Sequence, residues 1–410
     1  MRKIRAYTVK IFAVLTAAVL LTGCTVTDTV HTSMAKLCVF RQRSDGTPIR
    51  TMLTNGTTST VCVDPLCLHD DSCPLAGISN LTGEGAIPIG DSYCFISGDI
   101  SQDENTGMMS GEVKLCVYQM TDGSIHILET YHDNVLLLYG YDRYLYYTTA
   151  VYSRTDAGEQ YGYVLYRADI NSGKIIEIPT DRAYSSLGNS MGTGDIPSIY
   201  AIDDDRIYWY APGKDGYVHY TTDLAGKNRK ELPLANPRIM NGVYYDGWAY
   251  YTMNRNEGSI ADCKTDLERQ KFLNEKTLRR YHLETEKDEI ITDNLARFIV
   301  TEAGIFYTVY ETEPKKIEFN NDTYYDIFAG KIYRMNHDGS SSALFCTLED
   351  VNLSVWSDLF LGYADGKLGV AYMDAVENEW FESGYDYNIA PEIIIVDTTD
   401  GTWRISEDET

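Results

Sequence analysis

Three cysteines and a histidine lie close together in one short stretch of this chain: Cys62, Cys67, His69 and Cys73. Thiolate and imidazole groups are the ligands of tetrahedral zinc sites, so these four side chains have the composition of a structural metal site. Their spacing contains no CxxC pair, and outside the cytoplasm two of the thiols are also suited to a disulfide. We therefore favour a disulfide or free thiols at this stretch and keep a structural zinc ion as the alternative.

A further distinctive cysteine, Cys24, ends the N-terminal segment. A positively charged start is followed by an uncharged apolar run over residues 11–21, which is too short to span a bilayer and has the form of an export signal. The sequence Leu21-Thr22-Gly23-Cys24 resembles the lipobox of bacterial lipoproteins. This resemblance implies cleavage before Cys24, a diacylglycerol on its thiol, and a position anchored to the cell membrane outside the cytoplasm. An ordinary cleaved signal with a chance cysteine is the alternative.

The charge balance limits the partners of the chain. Its 410 residues carry 35 Lys and Arg against 60 Asp and Glu, a formal net charge of −25. Removal of residues 1–23 takes away four cations and no acids, which leaves a net charge of about −29. A surface of this sign repels nucleic-acid phosphates and anionic lipid headgroups. We expect no nucleic-acid partner, and we expect acyl chains rather than a basic patch to hold the protein at the membrane.

A recurring hairpin pattern predicts the fold. Its seven copies occupy residues 36–49, 114–127, 164–178, 218–232, 278–291, 331–345 and 393–405. Six of their turns contain a glycine, which supplies the positive φ of a tight turn, and the copy beginning at residue 278 has Glu286-Lys287-Asp288 instead. Aromatic hairpins lie between the copies, so the unit has four antiparallel strands, and radial repetition of such units makes a β-propeller. We predict an all-β propeller of seven blades, with six as the alternative, as a single domain over residues 34–410 after a signal (1–23) and a linker (24–33).

Long links between the second and third strands of the predicted blades indicate a binding face. They cover residues 98–112, 152–162, 254–276, 311–329 and 374–390, and in a propeller they emerge on the same face as the connections between blades. Aromatic side chains in two of these links are our candidates for ligand contact: Trp380, Phe381, Tyr385, Tyr387, Tyr324 and Tyr325. Insertions that bind nothing are the alternative.

The segment DPLC-x-H-D-D-x-C over residues 64–73, together with recurring YY pairs and DG turns, carries a family resemblance. The chain resembles uncharacterised lipid-anchored propeller lipoproteins of gut Firmicutes and, more broadly, the TolB-like propellers. The resemblance covers roughly residues 34–408 and implies a propeller displayed at the cell surface. It implies no reaction.

These observations favour a binding or scaffold protein whose looped face holds a glycan, a peptide or an envelope protein. We assign no catalytic residues and no cofactor other than the alternative zinc ion, because the histidines and serines form no catalytic pattern. An extracellular carbohydrate-active enzyme, a lyase or a glycosidase with acids at the propeller channel, is the alternative.

Overall fold

Tyrosine-rich and β-branched segments that alternate with short polar turns form strands throughout this chain, in the computed structural model as in the sequence pattern. Met34–Thr410 is one compact unit. The structure describes residues 34–43, 47–69, 73–75, 86–102, 109–132, 135–155, 158–179, 185–186, 197–202, 205–213, 216–232, 240–255, 260–265, 268–269, 271–272, 275–282, 284–309, 315–319, 322–326, 330–348, 359–377, 385–389 and 392–408.

Seven sheets of four strands follow one another as blades. The first contains β1 (Cys38–Gln42), β2 (Pro48–Met52), β3 (Thr57–Thr60) and β33 (Glu407–Asp408). The second contains β4 (Ala86–Ile89), β5 (Ser92–Gln102), β6 (Met109–Gln119) and β7 (Ile125–Tyr131). The third contains β8 (Val135–Tyr141), β9 (Tyr144–Thr155), β10 (Gly158–Asp169) and β11 (Ile175–Ile178), with the short β12 (Ser185–Ser186) beside β10.

The remaining four blades repeat the same order. The fourth contains β13 (Ser198–Ile202), β14 (Arg206–Gly213), β15 (Gly216–Asp223) and β16 (Lys230–Leu232). The fifth contains β17 (Met240–Tyr245), β18 (Trp248–Asn254), β19 (Lys276–His282) and β20 (Asp288–Leu295). The sixth contains β21 (Arg297–Thr301), β22 (Gly304–Thr308), β25 (Lys331–Met335) and β26 (Ala343–Thr347). The seventh contains β27 (Phe360–Ala364), β28 (Lys367–Val370), β31 (Ile394–Asp397) and β32 (Trp403–Ile405).

Two ribbons and a few short helical turns are the remaining elements of the described residues. One ribbon pairs β23 (Lys315–Phe319) with β24 (Asp322–Asp326), and the other pairs β29 (Met373–Glu377) with β30 (Tyr385–Ile389). A helical turn, α1 (Met34–Leu37), precedes β1, and a 3₁₀ turn covers Ile260–Asp262. Within the described residues, no helix is long and apolar enough to span a bilayer.

Contacts between the first strands of neighbouring blades close the sheets into a ring. They run β4 to β8, β8 to β13, β13 to β17, β17 to β21, β21 to β27 and β27 to β1, while α1 touches both β27 and β4. The prediction of a seven-bladed propeller is therefore confirmed, and the six-bladed alternative is wrong.

The first blade is completed from the far end of the chain. Strands β1 to β3 are antiparallel neighbours, and the fourth position is taken by β33, which pairs with β3 in parallel through Thr57↔Glu407 and Thr58↔Asp408. A hydrogen bond from the amide of Glu407 to the carbonyl of Gly56 (2.9 Å) continues this pairing. The other six blades are antiparallel, and each takes its four strands in chain order, with a ribbon inserted in the sixth and in the seventh.

The apolar core is divided among the seven seams between blades. Between the third and fourth blades, for example, Tyr146 and Leu165 pack against Ile207 and the fully buried Trp209. Each of the other six seams has its own cluster of buried residues. Because every blade contributes side chains to two seams, the alternating strands need to be apolar on both faces, which explains the tyrosine-rich composition.

Two of the predicted links are strands rather than loops. Strands β5 and β6 stay paired as far as Gln102↔Met109, and β9 and β10 as far as Thr155↔Gly158. An antiparallel pair that continues beyond its sheet keeps its backbone groups hydrogen-bonded, which irregular loops of that length cannot do so easily. At the turn that lacks glycine, Glu286 itself takes a positive φ of 58°.

Candidate functional site

The cysteine-rich stretch follows β3 directly and leads from the first blade to the second. It does not pair with the outer side of β3, which β33 covers instead. Asp64 shapes its first turn: its carboxylate accepts the amide of Leu66 (2.9 Å) and its carbonyl accepts the amide of Cys67 (3.2 Å). Leu66 and Leu68, on either side of Cys67, are 86% and 83% exposed, so the turn directs these apolar side chains outward.

The structure brings all four predicted donors together. One ligand atom each from Cys62, Cys67, His69 and Cys73 lies within 4.8 Å of all the others. The Sγ of Cys73 is 3.9 Å from Nδ1 of His69, and the opposite ring nitrogen, Nε2, is 3.4 Å from Oγ1 of Thr60. His69 has a left-handed φ of 56°. A group of this composition can bind a metal ion.

The group is set into the seam between the first and second blades. Cys62 and Cys73 are buried and pack among Tyr93, Phe95 and Tyr118 of the second blade, while Cys67 and His69 are half-buried. Burial, reinforced by the neighbouring thiols, raises the pKa of Cys73 to about 12. Without a nearby cation the Cys73 thiol therefore keeps its proton at neutral pH.

The cysteines are free thiols among the described residues, where no disulfide is formed. Sequence reasoning identified the four donors because they lie close together in the chain. It missed Thr60, which contacts the histidine, and Tyr118, whose hydroxyl accepts the amide of Val63 at 2.8 Å. Thr60 is a polar residue two positions before the first cysteine, so its closeness in the chain could have indicated it. Tyr118 becomes a neighbour only through the fold.

The second predicted site falls on the two ribbons. Tyr324 and Tyr325 lie in β24, opposite Ile317 and Lys316 of β23. Tyr385 and Tyr387 lie in β30, which pairs with β29 in the ribbon of the seventh blade. The other two candidates, Trp380 and Phe381, lie outside the described residues, as does Cys24. Both ribbons stand between the second and third strands of adjacent blades, so the predicted contact residues that the structure describes belong to neighbouring insertions.

The two candidate sites lie on opposite faces of the ring. In an antiparallel blade, the link from the second to the third strand lies at the same end as the connection to the next blade, whereas the other two turns lie at the opposite end. The ribbons therefore share one face. Val63 lies beside the β6–β7 turn, since a Cβ placed on Gly123 would be 3.5 Å from the Val63 side chain. The amide of Met34 donates to the carboxylate of Asp91 in the β4–β5 turn (3.0 Å). Leu37, just before β1, accepts the amide of Leu53 (3.0 Å) as Asp91 of the β4–β5 turn accepts that of Met120 (2.9 Å), so it takes the place of a tight-turn residue. The described chain therefore begins at the face of tight turns, with the cysteine group nearby.

Comparison with known proteins finds only distant similarity to solved structures. The sequence matches no protein-family model, and no curated protein matches it. Among solved structures, TolB from Acinetobacter baumannii superposes with a TM-score of 0.39 at 11% identity, over 74% of this chain and 61% of TolB. An uncharacterized protein from Listeria monocytogenes gives 0.45 at 9% identity, over 80% of this chain and 84% of its own. An acylaminoacyl peptidase from Pyrococcus horikoshii gives 0.46 at 10% identity, over 91% of this chain and 50% of the peptidase.

TolB, whose family the sequence resembles, is thus one of the solved structures to which this chain is similar. This chain spans about three fifths of the length of TolB and half that of the peptidase. Likeness at these values concerns the fold alone, and the propeller assignment rests on the order of the chain's own sheets.

Proposed function

We propose that this chain is a lipid-anchored protein of the outer side of the cell membrane, where its propeller serves as a non-enzymatic binding or scaffold module. Its lipid is carried by Cys24, and its ligand, a glycan, a peptide or an envelope protein, is held on the face that carries the ribbons. The observation that carries the proposal is the position of Met34 beside the β4–β5 turn, opposite the ribbons.

The position of Met34 matters because the link to the lipid determines which face of the propeller lies near the membrane and which is accessible to ligands. Residues 24–33 form a link of ten residues, which reaches at most about 35 Å when extended. A propeller held by such a link at the face of tight turns keeps that face near the bilayer. The ribbons of the sixth and seventh blades then point away from the membrane, towards ligands.

Electrostatics favour binding over the alternative enzyme. Among the described residues, every carboxyl group whose pKa departs clearly from its ordinary value has a lowered pKa, as at Asp122, Asp338 and Asp400, whose carboxylates accept hydrogen bonds from Ser or Thr groups in their own turns. A glycosidase acid needs a raised pKa so that it can donate a proton near neutrality. The shifted carboxylates of the described residues serve turn structure instead.

Two experiments test the two parts of the proposal separately. For the anchor, Cys24→Ser is compared with the parent chain in cells; the expected result is release of the variant from the membrane fraction, and unchanged retention would contradict lipidation. For the face, a photo-cross-linking amino acid is placed in living cells at Tyr325 or Tyr387 of the ribbons, or at Leu68 of the opposite face. Adducts with one protein or glycan from both ribbon positions, and not from Leu68, are expected. The same adducts from Leu68, or none from the ribbons, would refute the assignment.

A further inference from the structure

The seam between the first and second blades is built differently from the other six. On the first-blade side, its buried residues come from the segment after β3, namely Val61, Cys62, Cys73 and Leu75, rather than from paired strands. In this segment the described residues form turns and bends, not strands. Its first residue still continues the β2–β3 pairing, since the amide of Val61 donates to the carbonyl of Pro48 (2.9 Å). Beyond Val61 the segment fills the seam without a ladder of sheet hydrogen bonds and needs another source of order, because fixing each residue costs about 1–2 kcal/mol of backbone entropy.

We propose that Cys62, Cys67, His69 and Cys73 bind one Zn²⁺ ion and that this ion fixes the segment in the seam. In a tetrahedral site with Zn–S of about 2.3 Å and Zn–N of about 2.0 Å, two sulfurs lie about 3.8 Å apart, and sulfur and nitrogen about 3.5 Å apart. The observed separation of 3.9 Å between Cys73 Sγ and His69 Nδ1 is close to that value, and all four donors lie within 4.8 Å of one another. Closure around an ion requires movements of less than about 1 Å.

The histidine is already oriented for this role. Its Nδ1 faces Cys73 and its Nε2 lies 3.4 Å from Thr60 Oγ1. Metal-binding histidines commonly direct the second ring nitrogen at an oxygen acceptor, which fixes the tautomer with a free lone pair towards the ion. Thr60 Oγ1 in turn lies 3.1 Å from the carbonyl of Cys62, to which it donates, so it is held in place by the segment itself.

A metal also accounts for all four side chains, which a disulfide does not. One disulfide joins two of the three sulfurs and leaves the third thiol and the imidazole without a role. Zinc binding uses all four: each thiol loses its proton to solvent as its Zn–S bond forms, the imidazole stays neutral, and the site carries a net charge of −1. Thiolate and imidazole donors in a closed tetrahedron favour zinc over the oxygen-seeking Mg²⁺ and Ca²⁺.

Elemental analysis of the chain purified without chelators tests the proposal. We expect about one zinc ion per chain, and loss of most of it in Cys67→Ser and in His69→Ala. The matched control is Cys263→Ser, because Cys263 is also half-buried and free but lies away from the group in another link; this variant is expected to keep its zinc. Substitution by Co²⁺ is expected to give the visible spectrum of a tetrahedral site with thiolate ligands.

The role in the seam has its own readout. A chelator is expected to lower the melting temperature of the parent chain and of Cys263→Ser, and to leave that of Cys67→Ser unchanged. If Cys67→Ser does not fold, the zinc content and melting temperature of His69→Ala and the chelator titration of the parent chain test the role of the ion instead. A zinc-free parent chain, equal zinc in all variants, or a disulfide between two of the three cysteines found by mass spectrometry would overturn the proposal. None of these results bears on membrane attachment or on the ribbon face.

Discussion

Arg280 clamps the fifth blade to the sixth. It lies in β19, where its Nε and Nη2 donate to the carboxylate of Glu289 at 2.8 and 2.6 Å. Its Nη1 donates to the carbonyl of His337 (2.9 Å), in the β25–β26 turn of the next blade, and its guanidinium lies 3.9 Å from the centre of the Trp248 ring. The side chain is only 13% exposed, so these contacts are weakly screened by solvent.

The cost of removing the clamp follows from these contacts. Hydrogen bonds to a charged group contribute about 1.5–3 kcal/mol, and a cation–π contact that is largely desolvated about 1–2 kcal/mol. Lys287 also contacts Glu289, so the carboxylate does not lose every cation when Arg280 is replaced. The contributions are not additive, and Met retains most of the packing volume. For Arg280→Met we expect a loss of about 3 kcal/mol in the free energy of unfolding.

A matched control separates burial from the mere presence of the contacts. Arg143 also forms an ion pair, with Asp169 at 3.1 Å, and lies 5.2 Å from the centre of the Tyr144 ring, but its side chain is 52% exposed. Surface pairs of this kind contribute less than about 1 kcal/mol, so Arg143→Met should change stability little. Urea unfolding of both variants, followed by tryptophan fluorescence and by circular dichroism, measures the difference. Equal losses in the two variants would show that the clamp does not act through burial.

Three further predictions concern turns, acid and ring closure. Gly226 and Gly173 both have positive φ, but a Cβ on Gly226 would lie 2.5 Å from a neighbouring side chain, whereas one on Gly173 would meet nothing within 4 Å. In thermal unfolding we expect Gly173→Ala to lower the free energy of unfolding by about 1–2 kcal/mol and Gly226→Ala to lower it clearly more. Equal losses would contradict the packing argument. The ammonium of Lys367 holds the pKa of Asp397 well below its usual range, so this ion pair stabilises the fold above about pH 4 and loses that effect as the pH falls further. Asp397→Asn should therefore lower the free energy of unfolding at pH 7 and make it less dependent on acid. An unaltered pH profile of unfolding would count against this role of the ion pair. Ser406 is buried, and its hydroxyl accepts a hydrogen bond from a backbone amide of the seventh blade at 2.9 Å. In urea unfolding, Ser406→Ala should lower the free energy of unfolding by about 1–3 kcal/mol. No change would mean that water replaces the hydroxyl.

The sequence predicted those features that arise from local patterns. Alternating apolar residues and glycine turns at regular intervals predicted the hairpins and hence the blades, because turn chemistry and strand alternation act within a few residues. The four donors of the cysteine group were found for the same reason. The fourth strand of the first blade was not predicted, since Glu407 and Asp408 have no apolar alternation and gain their order only by pairing with β3.

The pairing within the ribbons and the position of Met34 at the opposite face also escaped sequence reasoning. The predicted links over residues 311–329 and 374–390 contain β23, β24, β29 and β30, whose pairing needs partners across the turn rather than a local preference. The contact between Met34 and Asp91 joins residues 57 positions apart and follows from the closing of the ring. Such contacts depend on the tertiary arrangement and are not encoded in any short pattern.

The parallel pairing of β3 with β33 has a consequence for the order of folding. While the chain is still being made, β3 has no neighbour on its outer side and presents an unpaired edge to other polypeptides. Later blades can form their hairpins as they emerge, and the contact between β27 and β1 closes the ring, yet the outer edge of β3 stays open until residues 407 and 408 have been made. Because this pairing joins Thr57 to Glu407, 350 positions further along the chain, it carries a large loop-closure cost, and we expect it to form after the local hairpins of the blades.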